Sequence, residues 1–263
     1  MNWSAEMGLG GMRILITRAA DGNEDLSALV RRAGGVPVPF PTIRLVPPAD
    51  CGPLDREIGR LSSFDWILFT SANAARFFLD RAARLGVVSW PASLRAASVG
   101  PGTTGELSSR GVAVHLTARK HTAEGLFAAL RDEGIAGRRF LLPRAEEGRE
   151  ILPEAIRKEG GQVVPVVAYR NAPAEKDEET ASEILADPPD VCTFASPSAF
   201  RNLFLLLGEE SVREMLSKSR IAVIGEVTAR AVRERDFRVD IMPETYTLKA
   251  MVDAIEASLA DGR

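Results

Sequence analysis

Cysteine is scarce in this 263-residue chain, which has only Cys51 and Cys192 and no CxxC pair. A disulfide framework is therefore excluded, a reducing compartment fits, and both thiols are expected as small buried hydrophobes. Histidine is equally sparse. His115 and His121 have no cluster of ligand residues at metal spacing around them, so no metal is expected. No apolar run approaches eighteen residues, so nothing is expected to cross a bilayer. The opening MNWSAEMGLGG lacks the basic region and apolar stretch of a secretory signal; it reads as a frayed extension before a second possible start at Met12, and the protein as cytoplasmic. Positive charge is not in excess. With 33 Lys+Arg against 36 Asp+Glu the net charge is −3, which argues against nucleic acid as a partner and requires any anionic ligand to be held locally. What is there, 45% hydrophobic and 26% charged residues, excludes disorder and fibres, and the length suits one large domain or two of about 100–130 residues.

The chain resembles itself at one offset. RILITRAADGNEDL from Arg13 returns as RFLLPRAEEGREIL from Arg139; FTSANAARF from Phe69 returns as FASPSAFRN from Phe194; AASVGPGTT from Ala96 returns as IAVIGEVTA from Ile221; HTAEGLFAAL from His121 returns as YTLKAMVDAI from Tyr246. Aligning 13–44 with 139–170 gives 13 identities in 32 positions, where composition alone gives about two. An internal duplication is the expectation.

Within each copy, short β-rich runs alternate with helical stripes. In the first copy the strands are Ile14–Thr17, Val36–Phe40, Trp66–Thr70, Ala96–Val99 and Val112–Leu116. Leu26, Leu29, Val30 and Ala33 mark a helix that Gly34 and Gly35 end, and further helices fall near Asn73–Leu85, Thr103–Arg110 and Thr122–Arg131. Such alternation predicts α/β architecture, with parallel sheets covered on both faces and a flavodoxin-like strand order 2-1-3-4-5 in each of two domains. A cut near Asp132 would divide the copies, but RDEGIAGR has no linker character. The proline-bearing segments lie inside the copies instead. The expected division is residues 12–40 with 174–263 as one discontinuous domain and 48–166 as the other. Segments 41–47 and 167–173 would then be crossing strands that could pair as an antiparallel ribbon and hinge.

The run ILITR, the block FDWILFTSANAARFF, the loop VGPGTTGEL, LLPRAEEGREILPEAI, VVAYRN, TFASPSAF and VIGEVTARA, in this order and spacing, resemble the uroporphyrinogen-III synthase family across nearly the whole chain from Met12. The resemblance implies two α/β domains joined by a two-stranded linker with one chain exchange. It also implies an enzyme of heme and other tetrapyrrole biosynthesis, a monomer without cofactor. Its substrate would be hydroxymethylbilane, a linear tetrapyrrole with eight carboxylates. Water leaves ring A, ring D attacks to give a spiro intermediate, and recombination closes the macrocycle with ring D inverted. The bilane also closes spontaneously without inversion, so the enzyme must favour one folded geometry.

Ligands of parallel α/β sheets lie outside the carboxyl ends of the strands, where helix N-termini offer free amides. Ser196, Pro197 and Ser198 suit that role, with Thr70, Ser71 and Asn73 as counterparts; plain helix caps have the same geometry. Gly100-Pro101-Gly102-Thr103-Thr104-Gly105 matches G-x-G-x-x-G after a strand. A dinucleotide site is disfavoured, because the corresponding run from Gly225 keeps only the first glycine and VHLTARK offers no ribose-binding carboxylate. The family reading makes these turns substrate-facing, through Gly100, Gly102 and Thr103 and through Gly225, Val227 and Thr228; Val227 stands where many relatives have a hydroxyl residue. Arg18 and Arg144 end the first strand of each copy and could grip carboxylates, or be solvated arginines. Thr122 and Thr247 open helices as contacts or caps. Tyr169 matches by context the tyrosine proposed in the family to help water depart; a phenol can donate a proton, though weakly, and the same residue could simply pack the crossing ribbon.

Other classes are weaker. A two-lobed small-ligand sensor of periplasmic or repressor type would need an export signal or a helix-turn-helix module, a flavodoxin-like carrier would need a hydroxyl-rich phosphate loop where ITRAADGNE stands, and a non-catalytic tetrapyrrole-binding homologue remains as the alternative. No G-x-S-x-G, P-loop or catalytic triad is visible.

Overall fold

The computed structural model describes residues 8–87, 89–148 and 150–260. They fall into two compact units, one holding residues up to 44 together with those from 172 onward, the other Leu45–Asn171.

Numbered along the chain, unit 1 contains β1 (Arg13–Ile16), α1 (Asn23–Arg32), β2 (Val36–Pro39), α7 (Glu178–Ala186), β9 (Val191–Phe194), α8 (Pro197–Leu207), α9 (Glu209–Ser217), β10 (Arg220–Val223), α10 (Glu226–Arg233) and α11 (Leu248–Ala260). Its sheet runs β10-β9-β1-β2, and the pairs are parallel. The central strands are short and apolar throughout because helices cover both faces. Successive side chains point oppositely: Leu15, Cys192 and Phe194 join one core layer with Phe200, Leu203 and Leu216, while Ile14, Ile16 and Val191 join the other with Leu26, Val30, Met251 and Ile255. Helix α1 follows its stripe, with Glu24 and Asp25 in the first turn and Arg31 and Arg32 in the last, the arrangement that suits the helix dipole.

Two expectations are corrected here. A fifth strand in unit 1 is reduced among the described residues to a single bridge between Ala222 and Ile241. Asp240 spends its carboxylate on the Ile221 amide, and Pro243, two residues on, has no N–H to extend a ladder. The leader is also not wholly frayed. Residues 1–7 lie outside the described residues, but Leu9 is fully buried in the second core layer, and the amides of Leu9 and Gly11 donate to the carbonyls of Ala33 and Gly34 at 2.6 and 2.8 Å.

Unit 2 contains α2 (Gly52–Ile58), β4 (Trp66–Phe69), α3 (Ala72–Arg84), β5 (Arg95–Ser98), α4 (Pro101–Ser109), β6 (Val114–Thr117), α5 (Ala123–Glu133), β7 (Arg139–Ala145), α6 (Ile151–Lys158) and most of β8 (Gln162–Pro173). The sheet order is β3-β8-β7-β4-β5-β6, with β3 (Ile43–Val46) on the outer edge. The pairs from β8 to β6 are parallel. The chain thus passes from unit 1 to unit 2 within β3 and back within β8. Between β5 and β6 the register shifts at Ala96, and the Nδ1 of His115 accepts the Ala96 amide at 3.1 Å, so this histidine is a structural part of the bulge.

Candidate functional site

The carboxyl ends of β4, β5 and β7 in unit 2 open onto a pocket of about 430 Å³. Its wall includes Thr70, Ser71, Val99, His121, Thr122, Glu124, Arg144, Gly148 and Tyr169. Helices α3, α4 and α5 start around it. The Ser71 Oγ accepts the Ala74 amide at 3.0 Å, the Thr122 Oγ1 accepts the Gly125 amide at 3.1 Å, and Gly100 precedes α4, where Pro101 occupies the first turn. Capping satisfies one amide in α3 and one in α5, α4 has no side-chain cap, and the remaining first-turn N–H groups have no carbonyl one turn back. The partial positive ends of α3 and α5 therefore open onto the pocket, and α4 begins two residues after Val99 in its wall.

Arg144, expected at the rim, does line this pocket. Its guanidinium is mostly buried and pairs with Glu150 at 2.6 Å, crossing so close to Gly148 that a Cβ there would stand 2.9 Å from Nε. In unit 1, Arg18 is held the same way, donating from Nε to the Gly22 carbonyl at 3.1 Å. Burial lowers the pKa of Arg18 from its ordinary value, with Asp25 acting in the opposite sense. Because Glu124 also lines the unit-2 pocket, the wall carries no surplus of cationic side chains over acidic ones.

The Tyr169 ring stacks on Phe77, with centroids 5.4 Å apart and planes 20° apart. Among the described residues nothing hydrogen-bonds its hydroxyl. Tyr169 sits on β8, and its carbonyl accepts the Glu146 amide at 3.0 Å, which ties it to the end of β7 beside Arg144.

The remaining expected residues divide. Ser196 caps α8 through the Ala199 amide at 3.2 Å and lies 3.1 Å from the Ser198 hydroxyl, with Pro197 in the first turn. Gly225 precedes α10 as Gly100 precedes α4. Thr247 caps α11 through the Ala250 amide at 3.1 Å. Gly102 is exposed, and Val227 is 72% exposed, an apolar side chain held toward solvent. Asn73 accepts from Arg76 at 3.2 Å and does not line the pocket. The side chains of Thr103 and Thr228 are buried on the inner faces of their helices, with Leu107 in α4 and with Ala229 and Val232 in α10, so only their backbone amides are left for the contact expected at these turns. His121, Glu124 and Gly148 also line the pocket, with Val99 and Leu142 among the apolar residues, and were not anticipated as site residues.

A larger hollow of about 650 Å³, lined by Trp90, Pro91 and His115 among others, lies at the amino ends of β5 and β6. Helix N-termini do not point to that edge of a parallel sheet. Among the described residues no three His, Cys, Asp or Glu side chains converge to hold a metal ion, and no helix is long and apolar enough to cross a membrane.

Comparison with protein-family models matches residues 24–253 to uroporphyrinogen-III synthase HemD. The chain belongs to the uroporphyrinogen-III synthase family. It is 32% identical over 262 residues to uroporphyrinogen-III synthase of Synechococcus elongatus, covering 96% of this chain and 97% of that one. It is 30% identical over 251 residues to a putative uroporphyrinogen-III synthase of Methanothermobacter thermautotrophicus, covering 94% and 98%. The solved uroporphyrinogen-III synthetase of Helicobacter pylori shares the fold, with a TM-score of 0.58 at 16% identity over 95% of this chain and 99% of that one. Members of the uroporphyrinogen-III synthase family are cyclising lyases.

Proposed function

We propose that the protein cyclises hydroxymethylbilane to uroporphyrinogen III, with loss of water and inversion of ring D through a spiro intermediate. The observation that carries this reading is family membership over residues 24–253 together with a pocket where the N-termini of α3 and α5, with the opening of α4 following Val99, meet Arg144 and Tyr169. Free amides of α3, α4 and α5 would hold substrate carboxylates, an arrangement suited to a polyanion in a chain of net charge −3. Tyr169 would donate its phenolic proton to the hydroxyl leaving ring A, and the electron-poor carbon so formed is attacked by ring D. In unit 1 the openings of α8, α10 and α11, through Ser196, Ser198, Gly225 and Val227, would serve further carboxylates. The reaction needs neither redox change nor an added group, so no cofactor or metal is invoked. The family resemblance further supports a cytoplasmic monomer in which 41–47 and 167–173 are linkers.

The test is the ratio of type III to type I uroporphyrinogen when purified protein meets freshly generated hydroxymethylbilane. An excess of type III over the protein-free control is expected; type I alone, at the spontaneous rate, overturns the reading in favour of a binding homologue. Tyr169→Phe retains the stacking on Phe77 and should melt at the wild-type temperature while lowering kcat about tenfold or more. An unchanged kcat removes Tyr169 from the mechanism.

A further inference from the structure

In each unit an aromatic ring lies across the glycine that opens a helix. A Cβ on Gly100 would stand 3.0 Å from His121 Cγ and 3.1 Å from Cδ2; a Cβ on Gly225 would stand 3.0 Å from Cγ and Cδ1 of Tyr246 and 3.2 Å from Cδ2. Near-equal distances to adjoining ring atoms place each glycine over a ring face rather than an edge. Torsion does not require these glycines. Their φ angles of 174° and 177° are extended backbone open to any residue, so it is the close approach of the ring that excludes a side chain. The rings are presented alike as well. The Thr122 amide donates to the Lys120 carbonyl and the Thr247 amide to the Thr245 carbonyl, each at 2.8 Å, which makes His121 and Tyr246 the middle residues of tight three-residue turns. Neither ring is buried for the sake of the core: His121 is exposed, and Tyr246 is 62% exposed.

We infer that His121 is a substrate-contacting residue whose ring, backed by Gly100, forms a flat wall of the unit-2 pocket against which one pyrrole of the substrate stacks. The inference rests on the reading of that pocket as a tetrapyrrole site. His121 shares the pocket wall with Arg144, Glu124 and Tyr169, so a pyrrole stacked there lies among the groups proposed for carboxylate binding and proton donation. The use of histidine at one of the two turns and tyrosine at the other indicates that the common property is a planar aromatic face, not a proton equilibrium. Pyrrole is electron-rich and flat, and offset stacking on such a face is favourable whether or not the imidazole carries charge.

Steady-state type III formation by His121→Ala, His121→Phe and Gly100→Ala tests this. His121→Ala should lower kcat/KM about tenfold, chiefly through KM, while His121→Phe stays within about threefold of wild type. Gly100→Ala, which displaces the ring, should reproduce the alanine defect, and the double variant should be no worse than either single one. Because His121 is exposed, its variants should melt as wild type does. A kcat/KM for His121→Ala within twofold of wild type overturns the inference, as does a His121→Phe variant as impaired as His121→Ala, which would assign the imidazole nitrogens instead. If wild type itself makes no type III product, the proposed activity fails separately. The wall is then decided by the dissociation constant for uroporphyrin III read from its Soret band: His121→Ala must weaken it about tenfold, and equal affinity overturns the inference.

Discussion

The two thiols differ in a way that chemistry can read. Cys192 is fully buried in β9, and burial pushes its pKa up to about 12, with the Ser219 hydroxyl acting weakly against that shift. A thiolate is the reactive form, so Cys192 is inert at neutral pH while the fold persists, whereas Cys51 is partly exposed. Iodoacetamide at pH 8 should modify Cys51 alone in native protein and both thiols in denaturant; modification of Cys192 at the same rate as Cys51 under native conditions contradicts the buried placement. Burial was expected for both from composition, and only Cys192 shows it in full. At this scale the helix caps were legible, since Ser71, Thr122, Ser196 and Thr247 each accept an amide three residues on, a purely local relation. Thr103 and Thr228 were not, because which face of a helix turns inward is decided by what packs against it. His121, weighed in the sequence only as a metal ligand, was not legible as a pocket residue because its partner, Gly100, belongs to a different helix opening.

Helix α2 is fixed to α3 by one bidentate pair, Arg81 to both Asp55 oxygens at 2.6 Å. The Arg81 hydrogen bonds hold the Asp55 carboxyl below its ordinary pKa, against a smaller opposing effect of desolvation. A depressed folded-state pKa means that this stabilisation is complete above the ordinary carboxylate range and is lost as pH falls through the lowered value. Asp55→Asn should therefore melt a few degrees below wild type at neutral pH, with the gap closing in strong acid. A gap independent of pH would show that the pair does not titrate with folding. Strands and long helices were readable because β1, β4 and β9 are short apolar runs and α1 and α3 carry a 3.6-residue stripe. Helix α2, seven residues long, buries Leu54 and Ile58 together with the carboxylate-bearing Glu57, too short and mixed a pattern to register. The weakened fifth strand of unit 1 was hidden in VDIMP, which has strand-like composition but ends in a proline.

Across the whole molecule, parallel sheets were foreseeable from the alternation of elements. The order β8-β7-β4-β5-β6 is the expected 2-1-3-4-5, its strands 2 and 1 coming from residues 139–173 and its strands 3, 4 and 5 from residues 66–117, although β7 and β4 are neighbours from distant parts of the chain. The start of the protein was misjudged because Leu9 has no periodic context, and its place beside Val30 and Ile14 is set only by tertiary packing. Leu9→Ala should lower stability by about 2–4 kcal/mol, and a chain begun at Met12 by at least as much, since it also loses two backbone hydrogen bonds. Thermal melting followed by circular dichroism checks both, and an unchanged midpoint in either would mean that Leu9 is not part of the core.

Unit 1 is assembled from residues 8–44 and 172–260, with all of unit 2 between them. Synthesis on the ribosome gives that arrangement a timetable. Strand β1 and helix α1 emerge first, but β9, which flanks β1, follows much later, and β10, α10 and α11 later still. At about 5–20 residues per second, the nascent β1-α1-β2 segment carries uncovered apolar faces for roughly 8–30 s before β9 is made, while Leu45–Asn171 is already complete and able to fold. Unit 1, whose two segments are made before and after Leu45–Asn171, is therefore the one that most depends on protection during translation.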